Sequence, residues 1–412
     1  MTHDENRRRS ARGNVVPARS EIALRIAMMG TRGIPAAYGG FETAVEEIGR
    51  RLAARGHHVL VYCRGADEKR RTHLGMQLVH LPAVRSKALE TLSHTLISSL
   101  HSLMHRPPDV AFVFNAANAP FLPIIRARSV PVAVHVDGLE WKRGKWGRGG
   151  RAYYRIAEQL SVRWADALIA DAQGIADYYT EEFGAETELL TYGTEILVDS
   201  PSDRLAELGL APGAFHLVVA RFEPENHVDV IVEGYAASGA SLPLIVVGSA
   251  PYAADYTDRI SAIAAADTRI RMLGGVFDQG LLNHLYAHAL TYLHGHSVGG
   301  TNPSLLRAMG AGPAVIAWDV NFNREVLGDL AVLFSSAADV ASLVAAAESD
   351  VPSMTELGRK LRSRASALHN WESVTDGYEH LARRLAVRTT TRGHASGRRN
   401  PHSARPEAEN FE

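Results

Sequence analysis

Two glycine-rich stretches each join an apolar run to a helical pattern, and both have the makings of a phosphate cradle. The first, "TRGIPAAYGGFETAVEEI", runs from Thr31 to Ile48; Gly30 precedes it, and Gly33, Gly39 and Gly40 lie within it. The second, "HGHSVGGTNPSLLRAMGAG", starts at His294 and carries Gly299, Gly300, Thr301, Asn302 and Pro303. Glycines let backbone amides approach a ligand, and the helix that follows offers free N–H groups at the positive end of its dipole. Gly30-Thr31-Arg32-Gly33 is not the dinucleotide fingerprint, and no Gly-Lys-Ser/Thr of a P-loop follows it. Two readings therefore fit the first loop, a phosphate site and a tight strand-to-helix turn. Glu42, in the first turn, favours the helix dipole in either case. The second loop is the stronger candidate, because Asn302 as N-cap with Pro303 at the first helical position is a strong helix start.

Other residues suggest less chemistry. Cys63 is the single cysteine and ends an apolar run, so it reads as a buried, inert thiol. With no second cysteine a disulfide framework is excluded, which fits a reducing compartment. His94, His101 and His105 share one helical face, and His294 and His296 are two apart. Neither set has carboxylate or thiolate partners at zinc spacing, so no metal site is expected. Between Trp141 and Trp164, Lys142, Arg143, Lys145, Arg148, Arg151 and Arg155 mix with Trp146, Tyr153 and Tyr154 before the first acid, Glu158. Such a segment suits an anionic lipid surface or a lipid-diphosphate; a solvated basic helix face reads the same way.

These loops need strands and helices to hold them. Apolar runs at 22–29, 58–63, 76–81, 110–114, 130–136, 167–171 and 188–191 predict one set of strands. After a break near 198–203, runs at 215–220, 242–248, 270–273, 290–294, 314–318 and 331–334 predict a second. Segments long enough for crossover helices lie between most of them, and continuous runs such as "PLIVVG" suit strands buried on both faces. The first helix shows an apolar stripe of Phe41, Val45, Ile48 and Leu52, and its Glu46–Arg50 and Glu47–Arg51 spacings predict ion pairs on the wet face.

The whole chain of 412 residues is too long for one ordinary domain, and 46% hydrophobic content can fill two cores. Net charge of −1 supplies no global field for nucleic acid, and no nucleic-acid partner is expected. No run reaches the roughly 18 apolar residues of a membrane span. The arginines at 7, 8, 9 and 12 precede no apolar signal core. The expected organisation is a disordered tail over 1–20, a Rossmann-like domain over 21–195 and a second over 196–370. A helix over 371–386 is expected to pack back on the first domain, before a disordered tail over 387–412. Ligands of doubly wound sheets bind beyond the carboxyl ends of the strands, so the chemistry should lie in a cleft between the domains.

Four stretches then carry a family resemblance: "GTRGIPAAYGGFETAVEE", "VDGLEWKRGKWG" from Val136, "ARFEPENHVDVIVEGY" from Ala220, and "HGHSVGGTNPSLL" with "FNREVLGD" from Phe322. Over about 22–385 the sequence resembles a retaining family-4 glycosyltransferase of the GT-B fold, in the bacterial subgroup that begins "TRGIPAxYGGFET" and includes rhamnosyltransferases of cell-surface polysaccharide assembly.

The resemblance implies a GT-B architecture of two Rossmann-like doubly wound parallel-sheet domains with a deep cleft. It implies transfer of a hexosyl group, rhamnosyl by kinship, from a nucleoside-diphosphate sugar to a glycan or polyprenyl-linked saccharide, with retention. Arg221 matches the cation on the donor diphosphate, and Glu225 and Asn226 fall where many relatives read Glu-Lys. Gly39 and Gly40 match the first-domain loop, and Gly300, Thr301, Asn302 and Pro303 the loop under the diphosphate. Glu325 matches an acidic position near the donor, and His135 and Asp137 an acceptor-side polar group beside the reacting carbon. Read as residues alone, His135 ends a core strand and Asp137 caps a turn at Gly138. The leaving phosphate would itself take the acceptor proton, and no Asp-x-Asp pair in a strand-end loop calls for a metal or other cofactor. Such an enzyme would work in the cytoplasm, with 141–164 at the inner face of the plasma membrane.

One departure counts against the match. The family places two glutamates with seven residues between them, and here those positions hold Gly299 and Arg307. The second glutamate accepts hydrogen bonds from the donor ribose, whereas arginine only donates. Either Arg307 serves a phosphate, or the chain binds nucleotide-sugar or glycan without turnover. A GT-B-shaped sugar-nucleotide epimerase is the remaining alternative.

Overall fold

The computed structural model describes residues 22–36, 39–65, 68–84, 86, 89–136, 139–142, 146–249, 254–388 and 395–400. Each apolar run of the sequence forms a strand. The first set is β1 (Arg25–Met29), β2 (His58–Arg64), β3 (Thr72–His73), β4 (Met76–Leu81), β5 (Val110–Phe114), β6 (Val132–Val136), β7 (Ala167–Ala170) and β8 (Glu188–Leu189). They form one eight-stranded sheet in the order β3-β4-β2-β1-β5-β6-β7-β8. Every neighbour in it is parallel except β3 against β4. The two-residue β3 is too short to leave a periodic signal and escapes the sequence reading. The second set is β9 (His216–Val219), β10 (Leu244–Val247), β11 (Ile270–Gly274), β12 (Thr291–His294), β13 (Ala314–Trp318) and β14 (Val332–Phe334). It forms an all-parallel sheet in the order β11-β10-β9-β12-β13-β14.

Helices fill the crossovers. In the first lobe they are α1 (Gly40–Ala54), α2 (Leu89–Met104), α3 (Leu122–Arg126), α4 (Arg148–Trp164) and α5 (Gln173–Phe183). In the second they are α6 (Val228–Ala236), α7 (Ala254–Ala266), α8 (Gln279–His288), α9 (Pro303–Ala311), α10 (Asn321–Leu327), α11 (Ala337–Ser349) and α12 (Val351–Leu368). Strand order reverses between β1 and β5 in one sheet and between β9 and β12 in the other. Crevices open at such switch points beyond the strands' carboxyl ends. Both glycine-rich loops lie there, one after β1 and one after β12.

The last helix, α13 (Trp371–Ala386), returns to the first lobe. Arg51 Nε lies 2.7 Å from Glu372 Oε1, Arg55 Nη1 lies 2.6 Å from Asp376 Oδ1, and Tyr378 packs edge-on to Phe112 at 5.2 Å. On the wet face of α1, Glu47 pairs with Arg50 at 2.6 Å and also with Arg51. Glu46 departs from its expected pairing: its Oε2 accepts from Ala36 N at 2.9 Å and meets His73 Nε2 at 3.1 Å. A loop amide and a ring nearby are less mobile partners than the next turn's arginine.

Of the expected tail over 387–412, residues 395–400 depart from the unstructured reading of their composition, and 389–394 and 401–412 lie outside the described residues. Residues 395–400 pack on α4 and α5: Arg399 donates to Glu182 Oε1 at 2.5 Å and to Glu158 Oε2 at 2.7 Å, and its guanidinium covers the Phe183 ring at 4.8 Å. Buried carboxylates need such a partner, and nothing local in "ASGRRN" announces it.

Candidate functional site between the two sheets

The loop after β1 closes on itself. Gly30 and Gly33 take φ of 99° and 102°, where L side chains are strained. A Cβ at Gly30 would stand 2.3 Å from the Phe114 carbonyl oxygen, and one at Gly33 would stand 2.6 Å from Cys63. Glu42 folds back from the first turn of α1, and its Oε1 accepts from Arg32 N at 3.0 Å. Its carboxylate lies against Gly39, the N-cap of α1. The opening amides of α1 thus already have an anionic neighbour, which weakens the first loop as a phosphate cradle.

The second loop is built differently. Asn302 is the N-cap of α9, its Oδ1 accepting from Ser304 N at 2.9 Å, and Pro303 opens the helix. This loop touches the other lobe at three places. A Cβ at Gly40 would sit 2.9 Å from Pro303 Cγ, and one at Gly300 would sit 2.2 Å from Asp171 Oδ1. Thr301 Oγ1 donates to the Asp171 carbonyl oxygen at 2.6 Å. Nearby, Glu325 on α10 accepts from Gln173 N at 2.7 Å and Gly174 N at 3.4 Å, so a carboxylate of one lobe caps helix α5 of the other. The α5 N-cap, Ala172, has no side chain for that task.

The strip after β9 is stitched to the loop after β12. Asn226 Nδ2 donates to the Arg221 carbonyl oxygen at 2.8 Å, and the Glu225 carbonyl oxygen accepts from Ser297 N at 2.9 Å. His227 Nδ1 meets the Gly295 carbonyl oxygen at 2.7 Å, and its ring stacks on Trp318 at 3.6 Å. The Asn226 amide thus braces the loop. Arg221, at the strand's exit, has its Nη1 3.3 Å from Glu223 Oε1 and remains partly exposed. Glu225 Oε1 is buried with no hydrogen-bond partner among the described residues.

His135 ends β6 and is 2% exposed. Its ring lies edge-on to Phe41 at 5.1 Å, Phe114 at 5.6 Å and Tyr192 at 5.7 Å. Neither ring nitrogen has a hydrogen-bond partner among the described residues. Burial pulls its pKa down to about 3, so the imidazole is neutral and one nitrogen can donate while the other accepts. Asp137 lies outside the described residues.

Asp171 is a residue of the seam that the sequence reading misses. It directly follows β7, and in the sequence it passes for the last residue of that strand; a charge closing an apolar run at the ligand end of a sheet is the available signal. The residue is 3% exposed, and its Oδ1 has no partner among the described residues. Burial, reinforced by the Glu325 carboxylate, raises its pKa to about 7. A buried polar atom left unpaired is costly, so its presence at a seam between two lobes points to a ligand partner.

Arg307 is turned to α8. Its Nε donates to Asn283 Oδ1 at 3.1 Å, its Nη1 donates to Gln279 Oε1 at 2.9 Å, and it covers the Tyr286 ring at 5.3 Å. Burial lowers its pKa, but amide oxygens and a ring face satisfy the cation. The seam therefore assembles Gly40, Gly300, Thr301, Pro303, Glu325 and Asp171. Arg307 and Asn226 spend their polar groups on loop and helix contacts. No cluster of three or more His, Cys, Asp or Glu able to hold a metal ion occurs among the described residues.

Residues 39–192 match the family model described as a glycosyl transferase 4-like domain. No curated protein matches the chain. Among solved structures, a sucrose-phosphate synthase from Thermosynechococcus elongatus superposes with a TM-score of 0.76 at 21% identity, covering 88% of this chain and 99% of that one. Anabaena Alr3699/HepE, in complex with UDP and glucose, gives 0.70 at 16% identity, with 87% and 99% covered. An α,α-trehalose-phosphate synthase (UDP-forming) from Burkholderia vietnamiensis gives 0.64 at 10% identity, with 87% and 99% covered. Two doubly wound sheets meeting at their strand ends, superposable over nearly their whole length on these proteins, give the chain the GT-B fold, with a segment similar to glycosyl transferase 4-like domains in its first lobe.

Proposed function

We propose that the chain is a glycosyltransferase that moves a hexosyl group from a nucleoside-diphosphate sugar to a glycan or polyprenyl-linked saccharide, with retention of configuration. The observation that carries this reading is the seam at which the amide-rich loop 299–303 meets Gly40 and the buried carboxyl of Asp171. UDP and glucose bind a protein of this fold, Alr3699/HepE, which supports a nucleotide-sugar as the load. The N-terminus of α9 and Arg221 would face the diphosphate and stabilise the charge of the leaving group. His135 and Asp171, both at strand ends of the first lobe, would orient sugar hydroxyls through nitrogens and an oxygen that have no hydrogen-bond partner among the described residues. The leaving phosphate would take the acceptor proton, leaving positioning and electrostatics as the protein's contribution. We expect turnover to survive chelation by EDTA. Rhamnose is the proposed sugar, on sequence resemblance, and surface polysaccharide assembly the proposed setting.

Product analysis tests the reading. The full chain is incubated with UDP- and dTDP-hexoses and a lipid-linked acceptor. Glycosyl transfer supports it, an altered free sugar nucleotide would point to epimerisation, and nucleotide binding without product would point to a silent relative. Arg307→Glu in the same assay asks whether the exchange limits activity. Because Asn283 and Gln279 already satisfy the guanidinium, we expect no large gain in turnover from the carboxylate.

A further inference from the structure

Helix α2 is built inside out. An ordinary surface helix turns its apolar stripe to the sheet and its hydroxyls to water. Here the buried side chains of Leu89–Met104 are His94, Thr95, Ser98, Ser99 and Ser102. Leu89, Leu96, Leu100 and Met104, at steps of seven, four and four, are 52%, 36%, 40% and 73% exposed. The inversion is fixed by the sheet side. Arg64 Nη2 on β2 donates to Thr91 Oγ1 at 2.7 Å and Tyr62 Oη, also on β2, meets His101 Nδ1 at 3.3 Å, while Ser99 Oγ turns back within the helix to the Thr95 carbonyl oxygen at 2.7 Å. Rotating the helix to hide its leucines would break the contacts to Arg64 and Tyr62. The outward stripe is about 22 Å long at 1.5 Å per residue.

Charge decides what could cover it. From Thr91 to Leu103 the chain has no Asp, Glu, Lys or Arg. Cations stand at the helix's C-terminal end: exposed Arg106, and Arg128, whose Nη1 donates to the carbonyl oxygens of Leu103 and His105 at 3.1 and 2.7 Å. The turn Ala116–Phe121 packs against α2 on one side and α4 on the other. The exposed residues of α4 include Arg148, Arg151, Arg155 and Arg163, with Ile156 at 54% exposure among them. Its one acid, Glu158, is buried against Arg399. An apolar stripe beside a row of exposed arginines matches the acyl boundary and phosphate headgroups of an anionic bilayer. No described helix is long and apolar enough to cross one.

We propose that α2 lies in the surface of an anionic membrane, its Leu89–Met104 stripe among the acyl chains and the α4 arginines on the headgroups. A membrane-borne acceptor belongs to the functional reading above, but this proposal stands on α2 and α4 alone, and its test needs no turnover.

The test is flotation of the full chain with vesicles of phosphatidylcholine, alone or mixed with phosphatidylglycerol, combined with hydrogen exchange over 89–104. The chain should float with the anionic vesicles, and the amides of α2 should slow on adding them. Replacing Leu96, Leu100 and Met104 together by Ser should reduce flotation about tenfold or more while leaving thermal stability unchanged, and Phe277→Ser, at a distant exposed site, should float normally. If the triple variant misfolds, exchange on the unaltered chain decides. A chain that stays unbound on phosphatidylglycerol vesicles, or a folded triple variant that floats as well as the parent, would overturn the proposal. So would a lipid-free dimer dissolved by the triple variant, which would make the stripe a contact between copies. Glycosyl transfer with no flotation would sink this inference and leave the function standing; flotation with no transfer would do the reverse.

Discussion

His135 and Asp171 are held in opposite ways by the same means. Burial drives the imidazole of His135 to its neutral form by lowering its pKa to about 3, and favours the neutral carboxyl of Asp171 by raising its pKa to about 7. Neutral groups can both donate and accept, which suits sugar hydroxyls. The aromatic cage of His135 predicts that His135→Phe keeps the packing and costs less than about 1.5 kcal/mol. It should lower turnover on the order of 10²-fold; a variant as active as the parent would make His135 a core residue only. Asp171 predicts a pH effect on stability. Its pKa rises from the ordinary aspartate value of 3.8 to about 7 in the folded chain. Between those values the unfolded chain ionises first, so stability is fully present below 3.8 and falls as pH rises to about 7. The loss is roughly 4 kcal/mol if fully expressed. Asp171→Asn removes that dependence, so the melting temperature of the parent relative to the variant should fall between pH 4 and pH 8. A difference that is flat with pH would mean that the carboxyl is solvated.

At the scale of elements, a carboxylate of one lobe completes a helix of the other. Helix α5 starts after Ala172, which offers no cap, and Glu325 on α10 accepts from its first two amides. Glu325→Ala should leave those amides bare, at a cost of about 0.5–2 kcal/mol, and speed exchange at 173–176 about tenfold. Unchanged exchange would show that the contact does not hold in solution. Strands are the most readable elements, because a parallel strand buried on both faces is an unbroken apolar run, as at "PLIVVG". The helix start at Asn302-Pro303 is readable for a local reason too, the cap and the ring acting within one turn. What escapes is non-local. The hold of Arg399 on Glu158 and Glu182 joins residues more than 200 positions apart. Asp171 gains its character only when Gly300 from the other lobe closes over it. Leucine periodicity in α2 would lead a reader to the wrong face, because the contacts of Thr91 with Arg64 and of His101 with Tyr62 turn its polar side to the sheet.

For the whole molecule, the two lobes meet through small contacts: Gly40 on Pro303, Gly300 on Asp171, Thr301 on the Asp171 carbonyl oxygen and Glu325 on α5. Two of the glycines sit where a Cβ would strike the opposite lobe, so their small size sets how closely the sheets approach. Apolar packing joins the lobes as well: one buried cluster holds Val45 and Phe112 of the first with Leu305 and Met309 of the second. The donor has one expected place. The most direct measurement is a crystal structure of the chain soaked or co-crystallised with a UDP- or dTDP-linked hexose. It should show the diphosphate on the amides at 300–303 and the sugar between that loop, His135 and Asp171. A nucleotide-sugar bound anywhere outside the seam between the lobes would contradict this assignment.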